Sequence, residues 1–325
     1  MIYYLLRRVI YAIPILIGVN LLTFALFFVV NTPEDIARMH LGDRHVTQEQ
    51  IDFWKSERGY DKPLLYNREQ QGWGVLSDTI FYVKSVRLFA FDFGLSDNGR
   101  NITHDIQQRM WPSLAIAVPT LLIGLLVNIS FALLMVFFRA TYVDFSSVLL
   151  CVVLMSISAL FYIIGGQYLI AKLLKLVPIS GYDDSLSAIK FVVLPVIVGV
   201  VSGIGAGSRW YRTIFLEEVS KDYVTTAQAK GFGDFYILFH HILPNAMIPI
   251  LTGVVVILPL LFLGSLIIES FFGIPGLGSY TIDAIANQDF AIVRTMVFLG
   301  SFLYIIGLLL TDISYTLVDP RVRLE

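Results

Sequence analysis

The sequence predicts an all-α integral membrane protein with six transmembrane helices and a small polar insertion between the first two. The first observation is composition: 56% of the 325 residues are hydrophobic and 15% are charged, with a mean hydropathy of +0.74. These values lie outside the range of ordinary soluble globular domains. The second observation is spacing, because long runs of the chain contain no Asp, Glu, Lys or Arg. Together they predict a chain that crosses a membrane several times.

Six of these charge-free runs are close in length to the ~20-residue helix that crosses a bilayer. They are residues 9–33, 110–138, 145–171, 191–208, 235–268 and 295–311. The first run is longer than the apolar part of a signal peptide, about 7 to 15 residues, so we expect it to be retained as a span. Prolines within four of the runs predict local kinks: Pro14, Pro119, Pro195 and Pro259.

The Lys and Arg residues of the short loops predict the orientation, because they are enriched on the cytoplasmic side. With the N-terminus inside, the inner side carries Arg7, Arg8, Arg139, Arg209, Arg212, Lys221, Lys230, Arg321 and Arg323, and the outer side carries Lys172, Lys175, Lys190 and Arg294. Both termini are therefore expected in the cytoplasm. The chain then divides into an N-terminal segment with the first span (1–33), an extracytoplasmic insertion (34–109), a core with five spans (110–317) and a cytoplasmic C-terminal segment (318–325).

The insertion, residues 34–109, is rich in charged residues and in glycine and proline. Thr47 followed three residues later by Gln50 predicts a capping box at the start of a short helix that extends to Lys55. A segment of this size is too small for a confident core of its own. We therefore expect it to pack on the outer ends of the transmembrane helices.

A polar loop, residues 209–245, separates the fourth span from the fifth. Asp222 is a candidate N-cap for a helix over residues 223–230. Gly231 is a candidate stop, because glycine adopts the left-handed conformation that follows many helices. Lys230 suits the negative end of the helix dipole. The loop is thus predicted to present a helix of about two turns to the cytoplasm.

Small residues on this short helix suggest what it does. Ala227 and Ala229 would let the backbone of a partner approach, as in recognition of a helix by a groove. An amphipathic linker that lies on the membrane surface fits the same features. Further along, Asp234 is a candidate cap of another helix, which Pro244 is expected to end before the chain re-enters the membrane.

A second candidate site follows the fifth span, in the segment ESFFGIPGLG (269–278). Glu269 is a carboxylate close to the membrane, and such a residue is a functional candidate. Pro275, Gly276 and Gly278 predict a turn that could form a gate on the outer side. A capping or hairpin-fixing role for Glu269 fits the same residues.

Polar side chains inside the spans have two readings. Asn20, Asn128 and Gln167 could line a transport path, or they could form hydrogen bonds between helices. The residues alone do not separate these alternatives.

The sequence contains no motif for catalysis. It has no G-x-x-x-x-G-K-[ST], H-E-x-x-H or G-x-S-x-G pattern. Cys151 is the single cysteine, which excludes an internal disulfide and a thiolate metal cluster. His240 and His241 are adjacent, so on a helix they point to different faces and make a poor metal pair. We expect a non-catalytic chain that binds no metal and no nucleic acid.

The loop also carries a family resemblance. The residues concerned are Glu217, Asp222-Tyr223-Val224, Thr226-Ala227, Ala229-Lys230-Gly231, His241, Leu243, Asn245-Ala246 and Pro249. They resemble the EAA loop of the ABC-importer permeases, in the subgroup for dipeptides, oligopeptides and nickel. Further segments follow in the family's order: YLLRR (4–8) with Pro14, FDFGLS (91–96), VPISG (177–181), Arg209 with Arg212, ESFFGIPGLG (269–278), Ala284-Ile285 with Asp289, and Asp312, Tyr315 and DPRVR (319–323). The resemblance covers nearly the whole chain.

The resemblance implies a type I ABC importer permease in the inner membrane of a bacterial cell. It implies coupling to an ATPase subunit through Glu217, Asp222, Tyr223, Thr226, Ala227, Ala229, Lys230 and Gly231. The implied partners are two ATP-binding subunits that use ATP and Mg, a second homologous permease in a heterodimer, and an extracytoplasmic solute-binding protein. This chain would bind no cofactor itself. Short peptides are the implied cargo, with nickel or another small solute as the alternative on the same scaffold.

Two other functional classes compete with this reading. A secondary transporter or channel predicts paired charges or broken helices at mid-membrane, whereas nearly all charges here lie at the ends of spans. A membrane-anchored sensor would use residues 34–109 as a ligand domain, but it explains neither six spans nor the 209–245 loop.

Overall fold

The computed structural model describes residues 2–42, 46–183 and 187–318. Within these ranges every regular element is a helix, and an isolated β-bridge joins Leu95 and Asn101. The predicted all-α fold class is therefore confirmed. Residues 319–325 of the predicted C-terminal segment, which include the DPRVR motif, lie outside the described residues.

The helices follow one another along the chain, with the longest connections between α3 and α4 and between α8 and α9. They are α1 (Ile2–Ala25, continued by a π-helical turn at Leu26–Val30), α2 (Pro33–Leu41), α3 (Gln48–Arg58), α4 (Gly74–Ser77), α5 (Ile80–Lys84, followed by a 3₁₀ turn at Val86–Ala90), α6 (Ile102–Phe137), α7 (Tyr142–Ser156), α8 (Ala159–Gly166, continued by a π-helical turn at Gln167–Leu173), α9 (Ala188–Val219), α10 (Asp222–Ala229), α11 (Asp234–Ile237, continued by a π-helical turn at Leu238–Ile242), α12 (Leu243–Ile257, followed by a 3₁₀ turn at Leu258–Leu263), α13 (Leu266–Phe272), α14 (Leu277–Ala286) and α15 (Phe290–Val318).

Five apolar segments of this fold have the length and composition to cross a membrane, and a sixth is added if a sharply bent pair of helices counts as one span. Among the described residues, five are single segments long and apolar enough to do so: Leu6–Val30, Ile102–Phe137, Ala188–Val219, Asp234–Leu263 and Phe290–Ser314. The sixth is a pair of helices, Tyr142–Ser156 and Ala159–Leu173, which meet at an angle of 88°. Five of the six predicted runs are thus found as single segments, and the third is a bent pair that forms a span only if its two helices are taken together.

The bend in the third span occurs where the sequence has no proline. Ile157 and Ser158 both have extended backbone angles, which interrupts the helix between α7 and α8. The hydroxyl of Tyr162 donates a hydrogen bond of 2.8 Å to the carbonyl oxygen of Leu154. This bond replaces an intrahelical partner that the break removes, as a backbone group in a membrane requires. By contrast, Pro14, Pro119 and Pro195 lie inside continuous helices.

The described chain divides into two compact units. The first contains residues 2–109 and 280–309, and the second contains residues 110–279 and 310–318. In the first unit, apolar side chains from α1, α2, α3 and α5 form one buried cluster around Phe28 and Trp54. The ring of Phe27 also lies 5.2 Å from that of Phe290, at the start of α15. The expected packing of the insertion on the ends of transmembrane helices is therefore confirmed.

The predicted capping box of the insertion is also present. The Thr47 hydroxyl accepts a hydrogen bond from the Gln50 backbone N–H, and the Gln50 side chain accepts one from the Thr47 N–H. A second capping box, formed by Thr32 and Asp35, starts α2. Each such cap contributes about 1 kcal/mol to helix stability.

The core of the second unit includes the polar loop. Met135 and Val136 of α6, Cys151 of α7 and Phe215 of α9 form a buried cluster that also contains side chains from α10, α11 and α12. Cys151 is a packed apolar residue there. The loop is thus attached to the helices on either side of it by apolar packing.

Candidate functional site

The loop helix α10 extends over Asp222–Ala229, close to the predicted range. Lys221 occupies the N-cap position, and Asp222 is the first helical residue without a side-chain capping bond, so the predicted capping role of Asp222 is wrong. A carboxylate in the first turn still stabilises the helix through its dipole. Gly231 has φ +83°, and its N–H donates to the Gln228 carbonyl at 2.9 Å. The predicted stop at Gly231 is confirmed.

The next helix departs from the prediction in two ways. Gly233 is the N-cap, and Asp234 is the first residue of α11 rather than its cap. Pro244 does not end a helix, because the chain stays helical through the π turn into α12. Pro244 lies where the π-helical turn passes into α12.

The two faces of α10 differ in burial. Val224 and Ala227 are buried in the core of the second unit, and Ala227 is only 5% exposed. The expected contact role of Ala227 is therefore corrected: its small side chain lets α10 pack against its own chain. Asp222, Thr225, Thr226 and Ala229 are exposed at positions i, i+3, i+4 and i+7. They form one stripe on the opposite side of the helix, which we name the α10 stripe.

Hydrogen bonds attach the start of α10 to the end of α9. The Tyr223 hydroxyl donates to a carboxylate oxygen of Glu218 at 2.7 Å, and the Lys221 ammonium donates to the other oxygen. Burial, and then the bond to Glu218, raise the pKa of Tyr223 to about 12. Glu218 is buried, whereas the predicted Glu217 is exposed. Sequence reasoning missed Glu218, although its i+3 spacing to Lys221 was a usable signal.

An ion pair connects the fourth span to the start of the third. Arg212 of α9 donates two hydrogen bonds to the carboxylate of Asp144 in α7, at 3.0 and 2.8 Å. The side chains are 24% and 11% exposed, respectively. The bidentate geometry orients the two helices as well as pairing their charges. No local sequence pattern indicates this pair, because the residues lie 68 positions apart.

Removing Asp144 is expected to destabilise the protein. Asp144→Ala leaves the mostly buried Arg212 unpaired, which we expect to lower the free energy of unfolding by about 2 kcal/mol. The matched control is Glu34→Ala, which breaks an exposed pair with Arg38 and should change stability by less than about 1 kcal/mol. Thermal unfolding in lipid nanodiscs measures both, and equal effects of the two substitutions would contradict the prediction.

The second candidate site is a tight hairpin between α13 and α14. Glu269 is 1% exposed, and its carboxylate accepts backbone N–H bonds from Ser265 at 3.1 Å, Gly278 at 2.7 Å and Ser279 at 3.2 Å. Burial raises the pKa of Glu269, while these bonds and one with Ser113 act in the opposite direction. One side chain therefore satisfies backbone donors on both sides of the turn.

Glycine is required where the backbone meets this carboxylate. A Cβ atom at Gly264 or Gly276 would collide with the Glu269 side chain, and at Gly278 it would lie 2.6 Å from the Ser265 backbone. Pro275 is exposed at the tip. This geometry favours the hairpin-fixing role of Glu269, which the residues alone left open beside the role of a gate.

The polar residues of the spans form hydrogen bonds within their own units. The Asn20 amide donates to the Ser85 carbonyl at 3.1 Å, and the Asn128 carbonyl oxygen accepts from the Ser208 hydroxyl at 3.0 Å. Gln167 donates to backbone carbonyls of Ile179 and Phe271. These contacts favour the structural alternative over a path-lining role for the three residues.

Six apolar segments and an anchored polar loop define a multi-pass α-helical membrane protein. The chain belongs to the family of binding-protein-dependent transport system inner membrane components, whose profile matches residues 129–324. The profile for the N-terminal part of such membrane components matches residues 1–117. The resemblance found in the sequence is thus confirmed, and the chain is a permease subunit of the ABC transporter class, whose members work with ATPase and binding-protein partners.

Individual relatives match over the full length. The probable peptide ABC transporter permease protein y4tP of Sinorhizobium fredii is 30% identical, over 98% of this chain and 99% of its own. A putative peptide transport system permease protein of Brucella abortus is 31% identical over 99% of both chains. The dipeptide transport system permease protein DppB of Escherichia coli is 28% identical, also over 99% of both.

Proposed function

We propose that this chain forms the translocation path for short peptides in an ATP-driven importer. Full-length similarity to relatives named as peptide or dipeptide permeases carries the proposal. The chain is non-catalytic: two partner ATP-binding subunits use ATP and Mg, and a second homologous permease completes a heterodimer. It lies in the bacterial inner membrane with both termini in the cytoplasm. An extracytoplasmic binding protein delivers the peptide on the side of residues 34–109.

Coupling to the ATPases takes place through the 209–245 loop. The α10 stripe docks in a groove of an ATPase subunit, which suits a short helix with small and polar exposed side chains. Movement of α10 is transmitted to the spans, because Val224 and Ala227 pack into the same core as α6, α9 and α12. The Glu218–Tyr223 bond and the Asp144–Arg212 pair add polar connections to α9 and α7. These contacts support a rigid link between the loop and the helices.

A secondary transporter is the competing class, and broken helices are one of its features. The bend between α7 and α8 is such a break. It lies in the run 145–171, which has no Asp, Glu, Lys or Arg. A break without ionisable groups supplies no site for a coupling ion of the usual kind, which favours the ATP-driven class.

Reconstitution tests the proposed function. The full complex with both permeases, the ATPases and the binding protein is placed in proteoliposomes, and uptake of a labelled dipeptide is measured with ATP, without ATP, and with an ion gradient alone. We expect uptake with ATP only. Uptake of nickel but not of the dipeptide would show that nickel, not a peptide, is the cargo. Uptake driven by an ion gradient without ATP would contradict the assignment to the ATP-driven importers.

A further inference from the structure

The insertion contains a cavity of about 410 Å³ in the first unit. Its wall is formed by the end of α3, by α5 and the turn after it, by the loop 92–99, and by one residue of α15. The charged residues of the wall are Glu57, Arg58, Lys84, Arg87, Asp92, Asp97 and Arg294. A volume in this range accommodates a small ligand.

The charges at the rim neutralise one another. Arg58 pairs with Glu57 at 3.1 Å, and Arg87 lies 3.6 Å from Asp92. The acids of both pairs are more than half exposed. Arg58 also donates to the backbone carbonyl of Asp97 at 2.8 Å. These groups have their partners within the chain.

Two cations deeper in the cavity are not paired in this way. Arg294 is 4% exposed, and its guanidinium lies 5.1 Å from the centre of the Phe28 ring. Over residues 2–42, 46–183 and 187–318 it forms no hydrogen bond or ion pair, and its buried Nε has no partner. The Lys84 ammonium lies 4.7 Å from the centre of the Tyr60 ring, with no carboxylate partner among the described residues. A buried cation without a partner, such as Arg294, is costly, and the partly buried Lys84 adds a second positive charge, so the two together favour an anion.

The acids near these cations have polar contacts of their own, although Oδ2 of Asp97 and Oδ2 of Asp289 are buried without a hydrogen bond among the described residues. The carboxylate of Asp97 accepts a bond of 3.1 Å from the Tyr60 hydroxyl, and its other oxygen lies 3.7 Å from Nε2 of His40. Asp289 lies outside the cavity wall and accepts backbone N–H bonds from Asp97 and Ile292. Burial, and then the neighbouring Asp97, raise the pKa of Asp289, which disfavours its negative form. Among the inner residues that line the cavity, Lys84 and Arg294 therefore lie opposite the single carboxylate of Asp97, and Asp289, behind the wall, is a second acid near both cations.

We propose that this cavity binds a small carboxylate ligand, whose carboxylate lies between Lys84 and Arg294. The carboxylate of a free organic acid and the C-terminus of a short peptide share this chemistry. Identification of the ligand as a peptide rests on the proposed function. The proposal of a carboxylate site is independent of it. A charge-assisted hydrogen bond to each cation supplies the binding energy.

The site predicts a pH dependence. Burial, and then the charge of Arg294, lower the pKa of Lys84 to about 8, with Arg58 acting in the same direction and Asp97 and Asp289 against it. A bound carboxylate favours the charged ammonium. Affinity should therefore be highest below pH 8 and fall as the pH rises through that value, by about tenfold at pH 9.5.

Calorimetric titration of the full-length chain in lipid nanodiscs tests the site. The probes are alanyl-alanine, its C-terminal amide and propionate. We expect alanyl-alanine to bind at least about tenfold more tightly than its amide. Propionate binding as tightly as alanyl-alanine would identify a free organic acid as the source, and weaker propionate binding would identify the peptide. Equal affinity of acid and amide, or no binding of any probe, would overturn the site.

Variants locate the ligand in the cavity. Lys84→Met should weaken alanyl-alanine binding by about tenfold. It should also abolish the dependence of propionate binding on pH near 8, because propionate, unlike alanyl-alanine, has no amino group that titrates there. Lys55→Met is the matched control, because Lys55 lies on α3 outside the cavity wall and pairs with Asp52. The affinity of this variant for alanyl-alanine should stay within about twofold of the wild-type value. Arg294→Gln should also weaken alanyl-alanine binding. If Arg294→Gln does not fold, the result for Lys84→Met still decides the test. Unchanged binding by Lys84→Met would refute the proposal. Failure of ATP-driven uptake alone would refute only the proposed function.

Discussion

Ala229→Trp is expected to abolish ATP-driven uptake while the chain remains folded. Ala229 is exposed in the α10 stripe, so an indole there meets no packed neighbour within this chain. In the proposed complex it would stand between α10 and the groove of the ATPase. Steric mismatch at the centre of an interface commonly costs about 2 kcal/mol or more, which corresponds to roughly 30-fold in affinity. Uptake and transport-linked ATP hydrolysis should fall together.

Two further variants separate docking from folding. Ala229→Ser keeps a small side chain and should retain uptake. Ala227→Trp inserts the same indole into the buried face of α10, and it should lower the stability of the chain by about 1 to 3 kcal/mol. Uptake in proteoliposomes and thermal unfolding in nanodiscs are measured for all three. Normal uptake by Ala229→Trp would contradict the docking role of the stripe.

The burial of Ala227 shows where prediction from the sequence ended. The spans could be found, because a bilayer requires long apolar runs and the charges mark their ends. The position of α10 could be predicted from Gly231, since a stop by a left-handed glycine is a local signal. Which alanine faces the protein depends on α6, α9 and α12, which are distant in sequence. Local spacing therefore identified both alanines as small and could not assign their faces.

The polar contacts of the site show the same limit. Asp144 and Arg212 are 68 positions apart in the sequence, and Glu269 and its hydrogen-bonding partner Ser113 are 156 positions apart. No proline in the sequence predicts the bend at Ile157 and Ser158. Glu218 is the exception, because its partners Lys221 and Tyr223 follow within five residues. Contacts within a turn or two of helix can be predicted, and contacts between spans require the fold.

Glu269→Ala is expected to destabilise the chain strongly. The substitution leaves the backbone N–H groups of Ser265, Gly278 and Ser279 without their acceptor in a buried turn. Each unsatisfied buried donor costs about 1 to 3 kcal/mol, so a loss on the order of 3 kcal/mol is expected after partial relaxation. This corresponds to a decrease in Tm of roughly 5 to 10 °C for a domain of this size.

A substitution at Gly276 tests the same turn without changing Glu269. Gly276→Ala places a Cβ against the Glu269 carboxylate and the Ser113 hydroxyl, and it should destabilise the hairpin even though Glu269 is intact. The matched control is Gly124→Ala in α6, where a new Cβ meets nothing within 4 Å and alanine favours the helix by up to about 1 kcal/mol. If Glu269 fixes the hairpin, Glu269→Ala and Gly276→Ala lower the Tm together. If it acts as a gate instead, Glu269→Ala changes uptake while the Tm stays at the wild-type value, because gating requires no contribution to the stability of the turn.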